Sequence, residues 1–337
     1  MELDLTPEQR SLATGAREFL ADACPPSVVR AAWDSPAPDE RLRERLAEMG
    51  FFGLAVPAEH GGLGVGDLEV ALILEECGRV ALPVPLLESS VAALTLAEHG
   101  TPSQRERWLP ALAAGEARAT IQLEGQSLVV GAGDADVLIM VADGQLHAVP
   151  AGRFTAEEQP VVDKSRRVAS VEADPGDDSR MLGDREAVER LLDRAAIMTA
   201  AFLLGIATHL IETTVAYVKG RDQFGRPIGS FQAVKHRLAE AHLLVETAHP
   251  AVWSSAHLVA THSDAAHVAA SVAKVSASQA EASANEHALQ CHGGIGFTWE
   301  HDLHMWLKRG KALEQAYGSP QWHRRRIADQ LFVEGAS

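Results

Sequence analysis

The sequence predicts a mainly α protein with one small β domain: an N-terminal helical domain over residues 1–118, a shortened middle β domain over 119–183, and a C-terminal four-helix bundle over 184–337. Three observations carry this. Apolar residues recur at helical spacing in the first part, short β-branched runs separated by Gly, Asp and Pro replace them in the middle, and long helical periodicity returns at 184. Of the 337 residues 46% are apolar and 23% are charged, a globular balance that excludes disordered and collagen-like chains.

In the first part, Thr6-Pro7-Glu8-Gln9 reads as an N-cap with Pro at the first helical position, and Leu12, Ala16, Phe19 and Leu20 share one face. Glu40 to Met49 and Asp67 to Cys77 are further helices, the second capped by Asp67 and terminated by Gly78. The intervening loop contains Gly61-Gly62-Leu63-Gly64-Val65-Gly66, which echoes a dinucleotide fingerprint. No strand-turn-helix unit surrounds it and no acid is spaced for a ribose, so it reads as an ordinary glycine loop.

Asp136 to Val141, Leu146 to Val149 and Arg167 to Val171 read as strands. A β segment of about 65 residues buries too little surface to fold alone and is expected to lean on the helices. Arg185 to Lys219, Ser230 to Thr261, Asp264 to Cys291 and Asp302 to Leu331 are the bundle segments, the second broken by Pro250. Within the first, Ala195 to Ile211 is interrupted by Thr199, Thr208 and His209 and is shorter than the roughly 18 to 20 apolar residues of a membrane span, so a buried helix is expected. His323-Arg324-Arg325-Arg326 reads as a solvated helix face.

Charge and cysteine content narrow the function. Thirty Lys and Arg stand against 46 Asp and Glu, a formal charge of −16 that repels a nucleic-acid backbone. Cys24, Cys77 and Cys291 are too few for a disulfide framework, and the acidic opening MELDLTPEQR has no apolar signal core, which together predict a cytoplasmic protein. His301 and His304 lie near His292 in sequence, but such scattered histidines are more often solvated or singly bonded, and no metal site is expected. Hydrolase and NTPase motifs do not occur.

Four segments carry a resemblance to a known family. They are Leu46-Ala47-Glu48-Met49-Gly50-Phe51-Phe52-Gly53-Leu54-Ala55-Val56-Pro57 with Glu59-His60-Gly61-Gly62-Leu63-Gly64; Arg107-Trp108-Leu109-Pro110 through Gly115-Glu116; Arg221-Asp222-Gln223-Phe224-Gly225-Arg226-Pro227-Ile228-Gly229 with Phe231-Gln232; and Gln290-Cys291-His292-Gly293-Gly294-Ile295-Gly296-Phe297. In this order, and over nearly the whole chain, they resemble the acyl-CoA dehydrogenase family of flavoenzymes. The resemblance implies that Arg221, Phe224, Gln232, Gln290, Gly293 and Gly294 contact the ADP half of FAD and reach toward a flavin held mainly by a neighbouring subunit. The residue types suit a diphosphate, since Arg221 offers a planar fork of donors, the amides of Gln232 and Gln290 donate, and the two glycines let backbone N–H groups approach oxygens.

The family reaction removes an α proton from an acyl-CoA thioester while a hydride leaves the β carbon for the flavin, and it needs a carboxylate base. Most members place that base in a Y-E-G-T segment, 24 residues beyond the first glycine of the Gly-Gly pair; the matching residue is Tyr317, followed by Gly318-Ser319. A tyrosine with an ordinary pKa near 10 would need on the order of 4 kcal/mol of phenolate stabilisation to serve at neutral pH. Relatives that carry the glutamate on the first bundle helix match Ala195 here, with Asp193 nearby and expected to cap or to pair with Arg194, and only a slipped alignment promotes Glu314. The family's T-E-P-x-x-G-S-D loop beneath the flavin is replaced by Ile121-Gln122-Leu123-Glu124-Gly125-Gln126-Ser127 in a β domain of about half the usual length. The resemblance therefore implies a base-lacking subunit of a heteromeric acyl-CoA dehydrogenase of the actinobacterial steroid-catabolism type. It would have a catalytic partner subunit in an α2β2 tetramer, FAD shared with that partner, acyl-CoA on the partner and an electron-transfer acceptor. A self-sufficient homotetramer with a displaced base and a flavin-free scaffold are the alternatives.

Overall fold

The computed structural model describes residues 4–35 and 39–333. Six helices come first, α1 (Pro7–Ala23), α2 (Pro26–Asp34), α3 (Glu40–Glu48), α4 (Asp67–Arg79), α5 (Leu86–His99) and α6 (Pro102–Ala113). Six strands follow, β1 (Ala119–Gln122), β2 (Leu128–Val130), β3 (Val137–Ala142), β4 (Gln145–Pro150), β5 (Phe154–Glu158) and β6 (Val168–Ala173). The rest is α7 (Arg185–Gly220), a minimal hairpin of β7 (Asp222–Gln223) and β8 (Arg226–Pro227), α8 (Gln232–Ala260), α9 (Ala266–His292), α10 (Leu303–Gln315) and α11 (Pro320–Val333). The chain packs as two compact units, one of Met1–Arg30, Ala71–Leu82 and Thr199–Ser337, the other of Ala31–Val70 and Pro83–Met198.

The first unit is helical. The Thr6 side chain accepts from the Gln9 backbone while the Gln9 side chain returns a bond to Thr6, a complete capping box that starts α1 where the sequence predicts. Gly78 does not end its helix. A Cβ there would lie 2.1 Å from the Phe202 carbonyl oxygen, and one at Gly205 would lie 1.8 Å from that of Glu75, so the two glycines let the backbones of α4 and α7 touch. Nor does Pro250 break α8, whose inner residues Val245, Ala248, Val252, Ala256 and Val259 stay buried on both sides of it, with α9 packed alongside. The last predicted segment is two helices, because the chain turns at Tyr317 and Gly318 with φ of +55° and +100°. α7 is long and apolar enough to cross a membrane by composition, but 78% of its most apolar stretch is buried in the protein.

The second unit joins helices to two three-stranded sheets, ordered β1-β3-β4 and β2-β6-β5. Val129, Ala132, Leu138, Val149 and Ala169, drawn from both sheets, form one core cluster, and Thr120 Oγ1 donates to the Val130 carbonyl at 2.6 Å. The sheets lean on helix as expected, Ser89 of α5 donating to the carbonyl of Ala119 in β1. α5 and β1 escape sequence reading for the same reason. Leu86 to Leu96 is buried throughout and all four residues of β1 are buried, so neither shows the polar face that makes a period visible.

Candidate functional site

One end of the first unit gathers the predicted cofactor residues. α7 stops at Gly220, and the hairpin that follows is closed by the Ile228 N–H donating to the Arg221 carbonyl at 2.8 Å. At its tip Phe224 adopts φ of +55° and is 90% exposed, while Arg226 stacks over Phe231 at 4.1 Å. Gln232 opens α8 and is exposed. The other turn begins where α9 ends, at Gly293, whose φ of +60° and ψ of −141° demand glycine. A Cβ on Gly293 or Gly294 would meet nothing within 4 Å, so the backbone there faces open space. Gln290, one turn earlier, is exposed.

The two turns meet. The ring of Tyr217 on α7 stacks on His292 at 4.3 Å, and Arg237 of α8 lies close enough to Cys291 to oppose the upward push that burial gives its thiol. Arg221, Phe224, Gln232, Gln290, Gly293 and Gly294 therefore stand at one end of α7, α8 and α9. The side chains of Arg221, Gln232 and Gln290 have no hydrogen bond or ion pair among the described residues. Unpaired guanidinium and amide donors beside open glycine backbone fit a diphosphate, and an exposed aromatic ring beside them fits a planar or ribose group.

The base position is closed. Tyr317 is 4% exposed, and its carbonyl accepts from His323 Nε2 at 3.1 Å while His323 Nδ1 accepts from Ser271 Oγ at 3.1 Å. This corrects the reading of His323 to Arg326 as a solvated face, because His323 is fully buried; Arg324 and Arg325 are exposed and Arg326 is half-buried. Buried Lys274 of α9 donates to the carbonyls of Leu313 and Glu314 at 3.0 and 2.8 Å, tying down the end of α10. The Glu314 carboxylate pairs with Lys311 at 2.9 Å. Fully buried Glu281 accepts from Asn285 at 2.9 Å and occupies the space a side chain at Gly310 would need. Burial pushes Lys274 down to about 7 and Glu281 up to about 7.

In the second unit Ala195 and Asp193 are fully buried. Arg194 bonds Asp67 at 2.9 Å and Glu98 at 2.7 Å. Against the upward push of burial, His99, Arg194 and Arg190 hold Glu98 down to about 2. The loop at Ile121 to Ser127 is bonded to itself: Gln122 Nε2 donates to the Gln126 carbonyl, the Leu123 N–H donates to Gln126 Oε1, and Gln126 Nε2 donates to the Leu128 carbonyl. Its amide groups are turned inward on the loop.

Sequence reasoning missed Tyr217, Lys274 and Glu281. Lys274, Glu281 and Asn285 recur at the spacing of the buried alanines Ala270, Ala273, Ala277, Ala280, Ala284 and Ala288, and charge at core positions of a helix was the available signal. Among the described residues no group of three or more His, Cys, Asp or Glu side chains is placed to hold a metal ion.

Comparison with known proteins gives two family matches, "Acyl-CoA dehydrogenase, N-terminal domain" over residues 6–116 and "Acyl-CoA dehydrogenase, C-terminal domain" over residues 185–332. The chain is 38% identical over 309 residues to acyl-CoA dehydrogenase IpdE2 of Mycolicibacterium smegmatis, covering 91% of this chain and 93% of that protein. It is 34% identical over 337 residues to IpdE2 of Mycobacterium tuberculosis, covering 97% and 98%. Among solved structures it is similar to a variant of the Tcur3481-Tcur3483 steroid ACAD, with a TM-score of 0.89 and 29% identity over 98% of this chain and 99% of that one.

Proposed function

The chain belongs to the acyl-CoA dehydrogenase family, oxidoreductases that act on CH–CH bonds, and from that premise we propose that it is the base-lacking subunit of a heteromeric, FAD-dependent acyl-CoA dehydrogenase. The observation that carries the reading is the occupant of the base position, a buried Tyr317 whose surroundings are already bonded, with the nearest sequence candidate, Glu314, paired to Lys311. A supporting observation is that the diphosphate-type groups around Arg221 and Gly293 stay exposed.

In this reading the three domains are 1–118, 119–183 and 184–337. Arg221 would offer its planar fork of donors to the diphosphate of FAD, Gln232 and Gln290 would donate amide hydrogen bonds, Gly293 and Gly294 would admit the group close to the backbone, and Phe224 would contribute an aromatic contact to its ADP half. FAD supplies hydride acceptance from the β carbon of the thioester. The α proton leaves to a carboxylate of the partner subunit, which also holds the flavin ring and the acyl-CoA, and a second heterodimer completes an α2β2 tetramer in the cytoplasm. The similarity to the steroid ACAD supports a steroid-derived acyl-CoA as the substrate class.

The test is purification alone and after co-expression with a full-length relative that carries the glutamate. Alone, the chain should show weak FAD binding without saturation; with the partner, a yellow tetramer with acyl-CoA turnover should form. A tight one-to-one holoprotein active by itself would sink the reading.

A further inference from the structure

We propose that Tyr217, His292 and His301 form an aromatic clasp that sets the spacing between the Arg221 turn and the Gly293-Gly294 turn, so that both can grip one diphosphate. The inference rests on the FAD-contact reading above and deepens it, because these are positioning residues that act through their neighbours.

Each ring is tied to one of the two turns. Tyr217 lies one helical turn before Arg221, whose N–H donates to the Tyr217 carbonyl at 3.0 Å, and His292 directly precedes Gly293. The two rings are 4.3 Å apart at 21°, and the Tyr217 hydroxyl reaches the His292 carbonyl at 3.5 Å. His301, in the chain beyond the Gly293 turn, closes the group edge-on, 4.9 Å from His292 at 67° and 6.5 Å from Tyr217 at 88°. Offset and edge-to-face contacts of this kind favour one relative ring placement over others.

The rings are themselves held. His292 is 4% exposed and its Nδ1 donates to the Ala288 carbonyl at 2.8 Å, while His301 Nδ1 accepts from the Leu303 N–H at 3.1 Å. The turn folds back on the clasp, since a Cβ at Gly296 would lie 3.1 Å from that of His292. His292 Nε2 is buried with no hydrogen-bond partner, a defect that an apolar ring filling the same space would not carry. Burial, with His301 beside it, lowers the pKa of His292, so the imidazole stays neutral and stacks as an uncharged ring. Bidentate and backbone contacts to a diphosphate tolerate only small misplacement, and the exposed hairpin that carries Arg221 needs such an anchor.

The experiment measures FAD affinity of the assembled complex by equilibrium dialysis after flavin removal, with thermal unfolding followed in parallel. Tyr217→Leu keeps apolar bulk and loses the ring, and is expected to weaken FAD binding about tenfold with helicity preserved. Tyr217→Phe keeps the ring and should restore affinity to within about twofold. Combined with Arg221→Ala, the Leu substitution should cost clearly less than the product of the two single losses, because a misplaced guanidinium has already lost its bond. His301→Ala gives the same reading from outside the helices should Tyr217→Leu not assemble. Unchanged affinity in these clasp variants beside a loss in Arg221→Ala, or strictly multiplicative losses, overturns the clasp and leaves the FAD reading standing. Unchanged affinity in Arg221→Ala overturns both.

Discussion

Helix α9 links two regions that treat polar groups in opposite ways. Around Gly293, the side chains of Arg221, Gln232 and Gln290 are exposed and carry no bond within the described protein. Nineteen residues earlier, about 28 Å along the helix axis, Lys274 is fully buried with two carbonyls on its amine. Nearby, His323, Ser271 and the Tyr317 carbonyl form a closed chain of hydrogen bonds. Unspent donors at a surface are available to a ligand, whereas donors bonded inside a core stabilise a shape. In this chain the positions predicted from sequence to contact a cofactor are of the first kind, and the position predicted for the base is of the second.

The largest effect is expected in the closed region. Lys274→Met keeps the apolar stem but leaves the Leu313 and Glu314 carbonyls without their donor, and should destabilise the chain by about 2 kcal/mol in urea unfolding near pH ~10, where the lowered pKa of the amine no longer opposes folding appreciably. A loss under about 1 kcal/mol would mean that the amine is not what holds the end of α10.

The next test uses pH. Glu281 has its folded pKa raised to about 7 from 4.5, so the folded state binds the extra proton between those values; its contribution is complete below about 4.5 and is lost as pH rises through 7. Lys274 has its folded pKa lowered to about 7 from 10.5, so its protonation opposes folding below about 10.5 and stability recovers as pH rises from 7. Glu281→Gln mimics the neutral carboxyl and should flatten the decline between about pH 4.5 and 7. At pH 8 it should stabilise the chain by on the order of 3 kcal/mol. An unchanged slope in stability against pH would assign the titration elsewhere.

At the open end the effect moves from folding to binding. Arg221→Ala in the assembled complex should remove a charge-assisted contact worth about 1.5 to 3 kcal/mol of FAD affinity, with helicity and melting temperature unchanged. Loss of fold together with flavin would erase the contrast, since Arg221 would then be structural.

The smallest effect sharpens the comparison most. Tyr317→Phe removes only a hydroxyl, and the complex should keep its rate per flavin within a few-fold. A fall of about a hundredfold or more, roughly 2.7 kcal/mol in barrier, would put catalysis back on this chain. Tyr317→Glu should not by itself create a second site, because the side-chain amide donors of Gln122 and Gln126 at the Ile121 to Ser127 loop are already bonded to nearby carbonyls.

How much of this was legible in advance depended on the range of the interaction. Thr6 and Gln9 announce the start of α1 because a capping box closes within four residues, and the Arg221 and Gly293 turns stand out because exposed special-purpose residues sit at fixed local spacing. Tyr317 in place of a carboxylate was readable by counting along the chain. Gly78 was not, for its role as a helix contact depends on Phe202, more than a hundred residues away. The split between α10 and α11, the burial of His323 among three apparently solvated arginines, and the partners of Lys274 likewise depend on which helix lies alongside. A backbone cap or a glycine turn is a local energy and is written in neighbouring residues. Whether a charged side chain ends in water or in a core is decided by what the rest of the chain places against it, and that cost is set only when the helices pack.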